Sequence, residues 1–365
     1  MMKIDKLRVR DIRVRPVAAP MKRPLATSTT LVSEAALLLI DLQTDGGLVG
    51  RSYLFAPGRH HLPALAKLVE AMAEMLKGDG LAPFDIEKKL RARYSLLGVH
   101  NVVLFAIAGI DMAAWDALAQ AFGQPLTRVL GAAPRPVPAY NSKGLGIRPV
   151  KDVAREAGEL VAEGFSAVKL RLGRPDARED LEALKAVKKR IGPRVRLMVD
   201  FNQALSVAEA ARRGRMIDAE GGVDWIEEPI RADDFAGAAK LARELATPIQ
   251  LGENFMGPEQ MAQALAAGAC DYVMPDAERI GGVTGWMRAA ALAQGAGLEM
   301  SSHLFPEVSV HLLCATPTCH WLEYVDWADA VLEEPLVARK GVLAPPDKPG
   351  VGMKWDEKAV RRFAL

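Results

Sequence analysis

The sequence predicts an α/β protein in which a closed barrel of parallel strands follows a smaller α+β domain. Beyond Val137, short β-rich runs and amphipathic helical segments alternate at intervals of about 25 residues, the length of one strand plus one helix. The first 135 residues lack this alternation and place strand-like runs before helical ones. The length also indicates two domains, because 365 residues exceed what one hydrophobic core usually holds.

The N-terminal domain, residues 1–135, begins with two strand-like runs. They cover 3–17 and 34–43 and flank a polar, turn-rich loop from Lys22 to Ser33. Helical periodicity then predicts helices over 63–77, 85–97 and 102–122. The Pro-rich run from Ala132 to Pro138 marks the expected boundary with the barrel.

Eight β-rich runs make up the predicted barrel. They cover 137–142, 166–172, 195–202, 223–228, 248–253, 271–276, 297–303 and 320–324, and helical segments such as 150–163, 178–190, 206–220, 257–267 and 284–294 separate most of them. Eight strand–helix units favour a closed barrel over an open doubly wound sheet, whose first strand would be followed by a Gly-rich turn. The glycines at 281, 282 and 285 resemble a phosphate loop only weakly, because the Walker lysine is missing.

Composition narrows the functional classes. The 47 Lys and Arg against 45 Asp and Glu give a net charge of +2 without like-charge blocks, which argues against a nucleic-acid or membrane-surface partner. The N-terminus lacks the apolar core of a secretory signal, and the apolar run from Val102 to Ile110 is too short to span a bilayer. Three cysteines without metal or disulfide spacing are expected to be small buried residues. We therefore expect a cytoplasmic protein.

Ionisable residues end six successive strands of the predicted barrel. In chain order these are Asp200, Glu227, Glu253, Asp276, His303 and Glu323. On an earlier strand Lys169 and Arg171 are two residues apart and therefore share one face, as Asp200 and Asn202 do. The C-terminal ends of barrel strands meet at one mouth, so these side chains are predicted to converge there.

Taken singly, each of these residues has an ordinary explanation. An acid after a strand often caps the next helix, a lone histidine is usually a polar loop residue, and basic residues form structural ion pairs. Taken together they would crowd charge into a confined, apolar mouth, which is costly unless a metal or a substrate compensates it. The joint placement therefore favours a functional site.

The residue types at this mouth suit one reaction. Asp200, Glu227 and Glu253 are an oxygen-only ligand set, which favours Mg²⁺, with Mn²⁺ as the second choice, over Zn²⁺. Asp276 and His303 come from adjacent strands, so the carboxylate can fix the imidazole tautomer and raise its basicity. A divalent metal and nearby cations stabilise the charge that develops when a proton α to a carboxylate is removed.

Several long motifs resemble the enolase superfamily and, within it, the mandelate racemase subgroup. They are WIEEP at 225–229, GEN at 252–254, MPDAERIGGVTGW at 274–286, SSHLF at 301–305 and ATPTCHWLEYVDWADA at 315–330. The resemblance implies a modified (β/α)7β TIM-type barrel (136–328), an N-terminal α+β capping domain (1–135) and a C-terminal segment (329–365) that returns to the cap. It also implies Mg²⁺ without an organic cofactor, and a homo-oligomer, with an octamer as the family's pattern.

The resemblance also implies roles for individual residues. Asp200, Glu227 and Glu253 resemble the metal ligands, and His303 with Asp276 resembles the general acid/base pair. Lys169 resembles the cation on the substrate carboxylate, while Glu323 and Ser142 resemble further contacts to that carboxylate and Asn202 the residue near the substrate hydroxyl. Substrate-binding positions are further expected at Leu25, Thr29, Val32, Phe55 and Leu304. Glu228 is expected on the other side of its strand, supporting the ligands.

Three features depart from the racemase pattern. Lys169-Leu-Arg171 stands where that pattern has Lys-x-Lys, Arg279 stands where a lysine is expected, and the capping segment around Lys22 and Arg23 is more polar than a phenyl pocket. Arginine gives up a proton at neutral pH more than a thousandfold less readily than lysine, so position 171 holds a poor base but a good cation.

The sequence thus predicts an enolase-superfamily enzyme that abstracts the α-proton of a small 2-hydroxycarboxylate. Racemisation or epimerisation, with Arg171 acting opposite His303, is placed first because the resemblance is long. The alternative is an acid-sugar dehydratase, a hydro-lyase that uses His303 as its principal acid/base. A cycloisomerase or amino-acid epimerase is disfavoured by the two arginines, and a non-catalytic binding role by the intact metal and dyad residues.

Overall fold

The capping domain is built on an antiparallel sheet. In the computed structural model, which describes residues 7–28 and 30–365, the sheet has the order β1-β2-β3, with β1 over Val9–Ala26, β2 over Leu31–Thr44 and β3 over Val49–Ala56. Four helices follow: α1 (Leu62–Leu76), α2 (Pro83–Arg93), α3 (Val102–Ala121) and α4 (Leu126–Val129). The central strand β2 carries the run Leu37–Leu42, whose side chains are buried on both faces of the sheet: α1 and α3 pack against it, and the C-terminal segment reaches Asp41 through Trp355.

The sequence prediction for the cap sheet was wrong in three respects. The expected loop from Lys22 to Ser33 is mostly strand, because β1 continues to Ala26. After a register shift β1 pairs with β2 again, with Leu25 opposite Val32. The predicted strand over 34–43 likewise starts earlier, and β3 was not predicted at all. Residues 3–6 of the first predicted strand lie outside the described part of the chain.

Helix α3 forms the centre of the cap. By length and composition it could cross a membrane, but 78% of its most apolar 18-residue window is buried inside the fold. Two aspartates on it are buried and paired: Asp111 accepts from the backbone N–H and the hydroxyl of Thr284, and Asp116 accepts from the backbone N–H groups of Arg51 and Val351. These bonds tie the core helix to the sheet, to the barrel and to the C-terminal segment.

The barrel consists of parallel strands that alternate with helices. The strands are β4 (Val137–Asn141), β5 (Ala167–Arg171), β6 (Arg196–Asp200), β7 (Ile226–Glu227), β8 (Ile249–Leu251), β9 (Tyr272–Val273) and β10 (Leu322–Tyr324). The helices are α5 (Val150–Ala162), α6 (Ala177–Ile191), α7 (Val207–Glu220), α8 (Phe235–Glu244), α9 (Pro258–Ala267), α10 (Gly282–Ala296) and α11 (Pro306–Cys314). The sheet order is β10-β4-β5-β6-β7-β8-β9, so the first and last strands of the unit are neighbours.

The segment predicted as a strand over 297–303 is present only as isolated bridges. Met300 bridges Val273 on one side and Cys319 on the other, and His303 bridges Asp276. This segment therefore occupies the seventh position between β9 and β10 and closes the ring. With α5–α11 it completes seven strand–helix units plus a final strand, which confirms the predicted barrel type.

The C-terminal segment runs back to the capping domain. The Trp355 indole N–H donates to Asp41 on β2, and Leu126 at the start of α4 donates to the Gly350 carbonyl. The segment contributes a short strand, β11 (Val342–Leu343), which pairs with β4, and a last helix, α12 (Glu357–Phe363). The domain boundaries themselves remain our interpretation.

Candidate active site

Three carboxylates lie at the ends of neighbouring barrel strands. Asp200 ends β6, Glu227 ends β7, and Glu253 follows β8 by two residues. Each residue offers one oxygen, and these oxygens lie within 4.8 Å of one another. All three side chains are buried. Buried carboxylate oxygens at this spacing form a ligand set suited to a hard divalent cation.

Lys169, on β5, lies beside two of the three carboxylates. Its Nζ is 2.5 Å from Glu227 Oε1 and 3.4 Å from Asp200 Oδ2, and it also reaches Glu323 Oε1 at 2.8 Å. Burial disfavours the ammonium, but the charges of Glu227 and Glu323 outweigh it and raise the pKa of Lys169 well above its ordinary value. Lys169 is therefore held as a cation and not as a base.

The remaining charges and polar atoms fit a bound cation. One ammonium is shared among three carboxylates, while Glu253 has no Lys or Arg ion-pair partner among residues 7–28 and 30–365. Asn202 donates its amide N–H to Asp200 Oδ2 at 3.0 Å, yet its own Oδ1 is buried without a hydrogen-bond partner. The carboxylates thus carry more negative charge than the nearby ammonium balances, and the Asn202 oxygen lacks a donor. A bound Mg²⁺, which prefers oxygen ligands, would balance the charge and supply a partner for such oxygens.

His303 and Asp276 form a hydrogen-bonded pair next to these three carboxylates. His303 Nδ1 is 2.7 Å from Asp276 Oδ2, and Asp276 Oδ1 accepts from the backbone N–H groups of Glu278 and Arg279. The other ring nitrogen, Nε2, faces the carboxylates: it is 3.4 Å from Glu253 Oε2 and 3.8 Å from Glu323 Oε2. Asp276 thus fixes the ring and leaves Nε2 as the atom that can exchange a proton.

The pKa of His303 is raised to about 9 in the absence of a metal. Burial lowers it, but the charges of Glu253 and Glu323 and the hydrogen bond to Asp276 raise it more. The carboxylates therefore stabilise the imidazolium, and a cation bound by Glu253 would offset part of their charge and favour the neutral ring that accepts a proton.

Glu323, the central residue of β10, connects the two halves of the site. Its Oε1 accepts from the Ser142 hydroxyl at 2.6 Å, and its Oε2 accepts from the backbone N–H of Leu304 at 2.9 Å. Burial would raise the pKa of Glu323, but the charges of Lys169, His303 and Arg171 hold it well below its usual range. Ser142 and the Leu304 backbone therefore orient a carboxylate that is ionised.

Arg171 is fixed to the loop after β4. Its guanidinium donates to the carbonyls of Ser142 and Gly144, at 3.1 and 2.7 Å, and to the Ser142 hydroxyl at 2.7 Å. The side chain is buried, and its Nε has no hydrogen-bond partner. Two of its N–H groups therefore hold backbone carbonyls, which makes Arg171 a fixed cation of the loop.

Two further predicted residues lie behind the ligands. Arg279 donates to the Glu253 carbonyl at 3.0 Å and to Asn254 Oδ1 at 2.5 Å, so it supports the strand end after β8. Glu228 is buried, and Asn254, which also contacts Glu253, donates to it at 2.7 Å. Burial and the charge of Glu253 raise the pKa of Glu228 to about 8. Glu228 does not diverge from the site as strand alternation suggests, because its φ of 36° breaks the alternation.

The substrate-binding positions expected in the cap lie farther apart than the charged residues of the barrel mouth do. Leu25 and Val32 are buried and pair across the hairpin, and Leu25 lies against the loop at Gly146. Phe55, on β3, packs on Trp327 with ring centroids 4.9 Å apart. Thr29 lies outside the described residues. Ser28 anchors the hairpin tip to the barrel by donating to the Phe201 carbonyl at 3.1 Å.

Two supporting residues were not predicted. The Trp225 indole N–H donates to Glu227 Oε2 at 3.2 Å, and Glu278 accepts the backbone N–H of Phe55 at 2.8 Å. Trp225 was detectable in principle, since it is two residues before Glu227 on one strand and so shares its face. Glu278 has no such signal, because its partner is a backbone group from another domain.

A (β/α)7β barrel, a separate cap, a cluster of three carboxylates suited to a metal ion and a His–Asp pair are the features of an enolase-type enzyme fold. Residues 9–131 match the family model for the mandelate racemase/muconate lactonizing enzyme N-terminal domain, and residues 152–359 match the enolase C-terminal domain-like model. The chain belongs to the mandelate racemase/muconate lactonizing enzyme family of the enolase superfamily. The resemblance found in the sequence is thereby confirmed.

Three relatives illustrate the range of the family. The L-talarate/galactarate dehydratase of Salmonella typhimurium is 32% identical over 366 residues, covering 97% of this chain and 90% of its own length. A crystal structure of an enolase from alphaproteobacterium BAL199 with bound Mg is 46% identical, with a TM-score of 0.96 over 98% of this chain and 100% of that one. An enolase from Bradyrhizobium, complexed with magnesium and mandelic acid, is 40% identical, with a TM-score of 0.95 over the whole of both chains.

Proposed function

We propose that this enzyme is an Mg²⁺-dependent acid-sugar dehydratase that removes the α-proton of a 2-hydroxycarboxylate with a single base, His303, and then eliminates the β-hydroxyl. The observation that carries this choice is the state of the two candidate bases. His303 presents Nε2 toward the three carboxylates, 3.4 Å from Glu253 Oε2, whereas the Arg171 guanidinium donates to two backbone carbonyls and a hydroxyl. One competent base suffices for elimination, but racemisation needs one on each face.

Asp200, Glu227 and Glu253 would hold the Mg²⁺. The ion supplies positive charge where the carboxylate oxygens of the substrate become more negative as the proton leaves. Bound Mg in the structures of two close relatives supports this assignment.

The chain's own residues supply the rest of the chemistry. Lys169 is a buried cation adjacent to the ligands, placed to pair with a substrate carboxylate. His303 Nε2 accepts the α-proton, and the hydrogen bond from Nδ1 to Asp276 stabilises the imidazolium that results. The same imidazolium then returns this proton to the departing β-hydroxyl, so that water leaves and the enol product tautomerises to a 2-keto acid. Ser142 and the Leu304 backbone orient Glu323 at the same mouth, where it pairs with Lys169.

Racemisation of a 2-hydroxy acid is the second candidate. It was placed first from the sequence, and the mandelic acid bound to the Bradyrhizobium relative favours it. The dehydratase from Salmonella typhimurium favours elimination instead. The two reactions share the enolisation step and differ in whether a proton is delivered to the opposite face.

A product assay distinguishes them. The enzyme with Mg²⁺ is incubated with a panel of aldonic and aldaric acids and of both mandelate enantiomers, and products are followed by 2-keto acid detection and chiral chromatography. We expect a 2-keto acid from at least one acid sugar, no inversion of mandelate, and loss of product in His303→Asn. Inversion without any keto acid would replace the dehydratase proposal with the racemase. A cytoplasmic location, a small-molecule partner without nucleic acid or membrane, and a homo-oligomer remain expectations.

A further inference from the structure

Glu278 is a buried acid that joins the capping domain to the loop of the dyad. It follows Asp276 by two residues, and its side chain is 3% exposed. Its Oε2 accepts the backbone N–H of Phe55 on β3 at 2.8 Å. Because β3 is the edge strand of the cap sheet, this N–H group has no further strand to pair with in the order β1-β2-β3.

The same residue also holds the dyad carboxylate. The backbone N–H of Glu278 donates to Asp276 Oδ1 at 2.8 Å, while Asp276 Oδ2 is 2.7 Å from His303 Nδ1. A chain of hydrogen bonds therefore runs from Phe55, through the side chain and backbone of Glu278, to Asp276 and His303. Burial and the charge of Asp276 raise the pKa of Glu278 to about 8, so this acid is not simply a solvated surface group.

Phe55 itself is one of the positions expected to bind the substrate. The Phe55 ring packs on Trp327, which lies in the segment after β10. A shift of β3 would thus move this aromatic pair and the turn that carries Asp276 together. We propose that Glu278 is a positioning residue that couples the seating of the cap strand β3 to the alignment of the His303–Asp276 pair. This inference deepens the proposed function and rests on it.

The chain offers a matched control on the same strand. Tyr53, two residues before Phe55, donates its hydroxyl to Glu307 Oε2 at 2.6 Å, and Glu307 is likewise buried. This bond also joins β3 to the barrel but leads to helix α11 and not to the turn of Asp276. Tyr53→Phe removes it with little change in volume.

The test compares Glu278→Met, Glu278→Gln and Tyr53→Phe. Methionine keeps the length of the side chain and removes the acceptor, whereas glutamine keeps an acceptor oxygen. With an acid sugar that the wild type converts, we expect Glu278→Met to lower kcat about tenfold or more with KM changed less than threefold. Glu278→Gln should restore kcat to within about threefold, and Tyr53→Phe should stay within about twofold even where its melting temperature falls as much as that of Glu278→Met.

A second measurement does not depend on turnover. The Nδ1 proton of His303, held by Asp276, should give a downfield proton resonance in a ¹⁵N-histidine-labelled sample, assigned by its absence in His303→Asn. We expect it to broaden or move upfield in Glu278→Met and to persist in Glu278→Gln and Tyr53→Phe. An unchanged resonance in Glu278→Met, or equal kinetic losses in Glu278→Met and Tyr53→Phe, would overturn the inference. If the wild type turns over no acid sugar, the proposed function fails while the resonance still tests the coupling.

Discussion

Replacing Arg171 with lysine restores the two-lysine pattern and tests why one face of the site lacks a base. The loss can be worked from the contacts: the guanidinium makes three hydrogen bonds, to the Ser142 and Gly144 carbonyls and to the Ser142 hydroxyl. An ammonium at this position keeps about one of them, and two charged hydrogen bonds are worth about 3 kcal/mol. We therefore expect Arg171→Lys to lower the free energy of unfolding by about that amount in urea titrations.

The same substitution should also add a base at position 171. Lysine releases its proton on the order of a thousandfold more readily than arginine, which sets the upper limit for new base activity at position 171. In deuterium oxide with both enantiomers of a 2-hydroxy acid, the wild type should exchange the α-proton of one enantiomer only. Arg171→Lys should add exchange of the other, at least tenfold above the wild-type background. A folded variant that still exchanges a single enantiomer would refute the view that the arginine is what prevents two-base chemistry.

Three further predictions concern other parts of the molecule. Burial lowers the pKa of His311 to about 4, so the unfolded chain takes up a proton at this residue first as the pH falls below 6.5. This histidine by itself should cost about 3 kcal/mol of stability between pH 7 and pH 4, so His311→Gln should lose about that much less than the wild type over this range in urea titrations. Removing the indole donor to Glu227 with Trp225→Phe should weaken Mg²⁺ binding at least tenfold by calorimetry, and an unchanged affinity would show that the bond does not orient the ligand. Thr284→Val removes the hydroxyl that donates to Asp111, which should cost about 2 kcal/mol in thermal or urea unfolding; a loss below about 0.5 kcal/mol would contradict that assignment.

The barrel was predictable because its signals are local and periodic. Each strand–helix unit repeats the same pattern, and an acid or histidine at a strand's end is visible without knowing the fold. Parallel strands then bring residues as distant as Asp200 and Glu323 to one mouth, which is a property of topology and not of any single motif. For this reason the sequence predicted that the three carboxylates and the His303–Asp276 pair converge at neighbouring strand ends, where the structure has them.

The capping domain was less predictable for a physical reason. Its first hairpin crosses from the sheet to the barrel, and the polar residues around Lys22 and Arg23 that suggested a loop are instead paired with acids: Arg23 with Glu163 at 2.9 Å, and Lys22 with Asp326 at 3.9 Å. Sequence polarity does not distinguish such a strand from a loop. The link from Glu278 to Phe55 is equally invisible, because one partner is a backbone N–H.

The most direct test of the central claim measures α-proton exchange by proton NMR in deuterium oxide. Wild type, His303→Asn and Glu253→Gln are each incubated with the same 2-hydroxy acids, first after treatment with EDTA and then with added Mg²⁺. We predict exchange in the wild type only when Mg²⁺ is present, none in His303→Asn, and at least a hundredfold loss in Glu253→Gln. Exchange that persists in EDTA would contradict the role of a divalent ion held by the three strand-end carboxylates. Exchange at the wild-type rate in His303→Asn would contradict the role of His303 as the base.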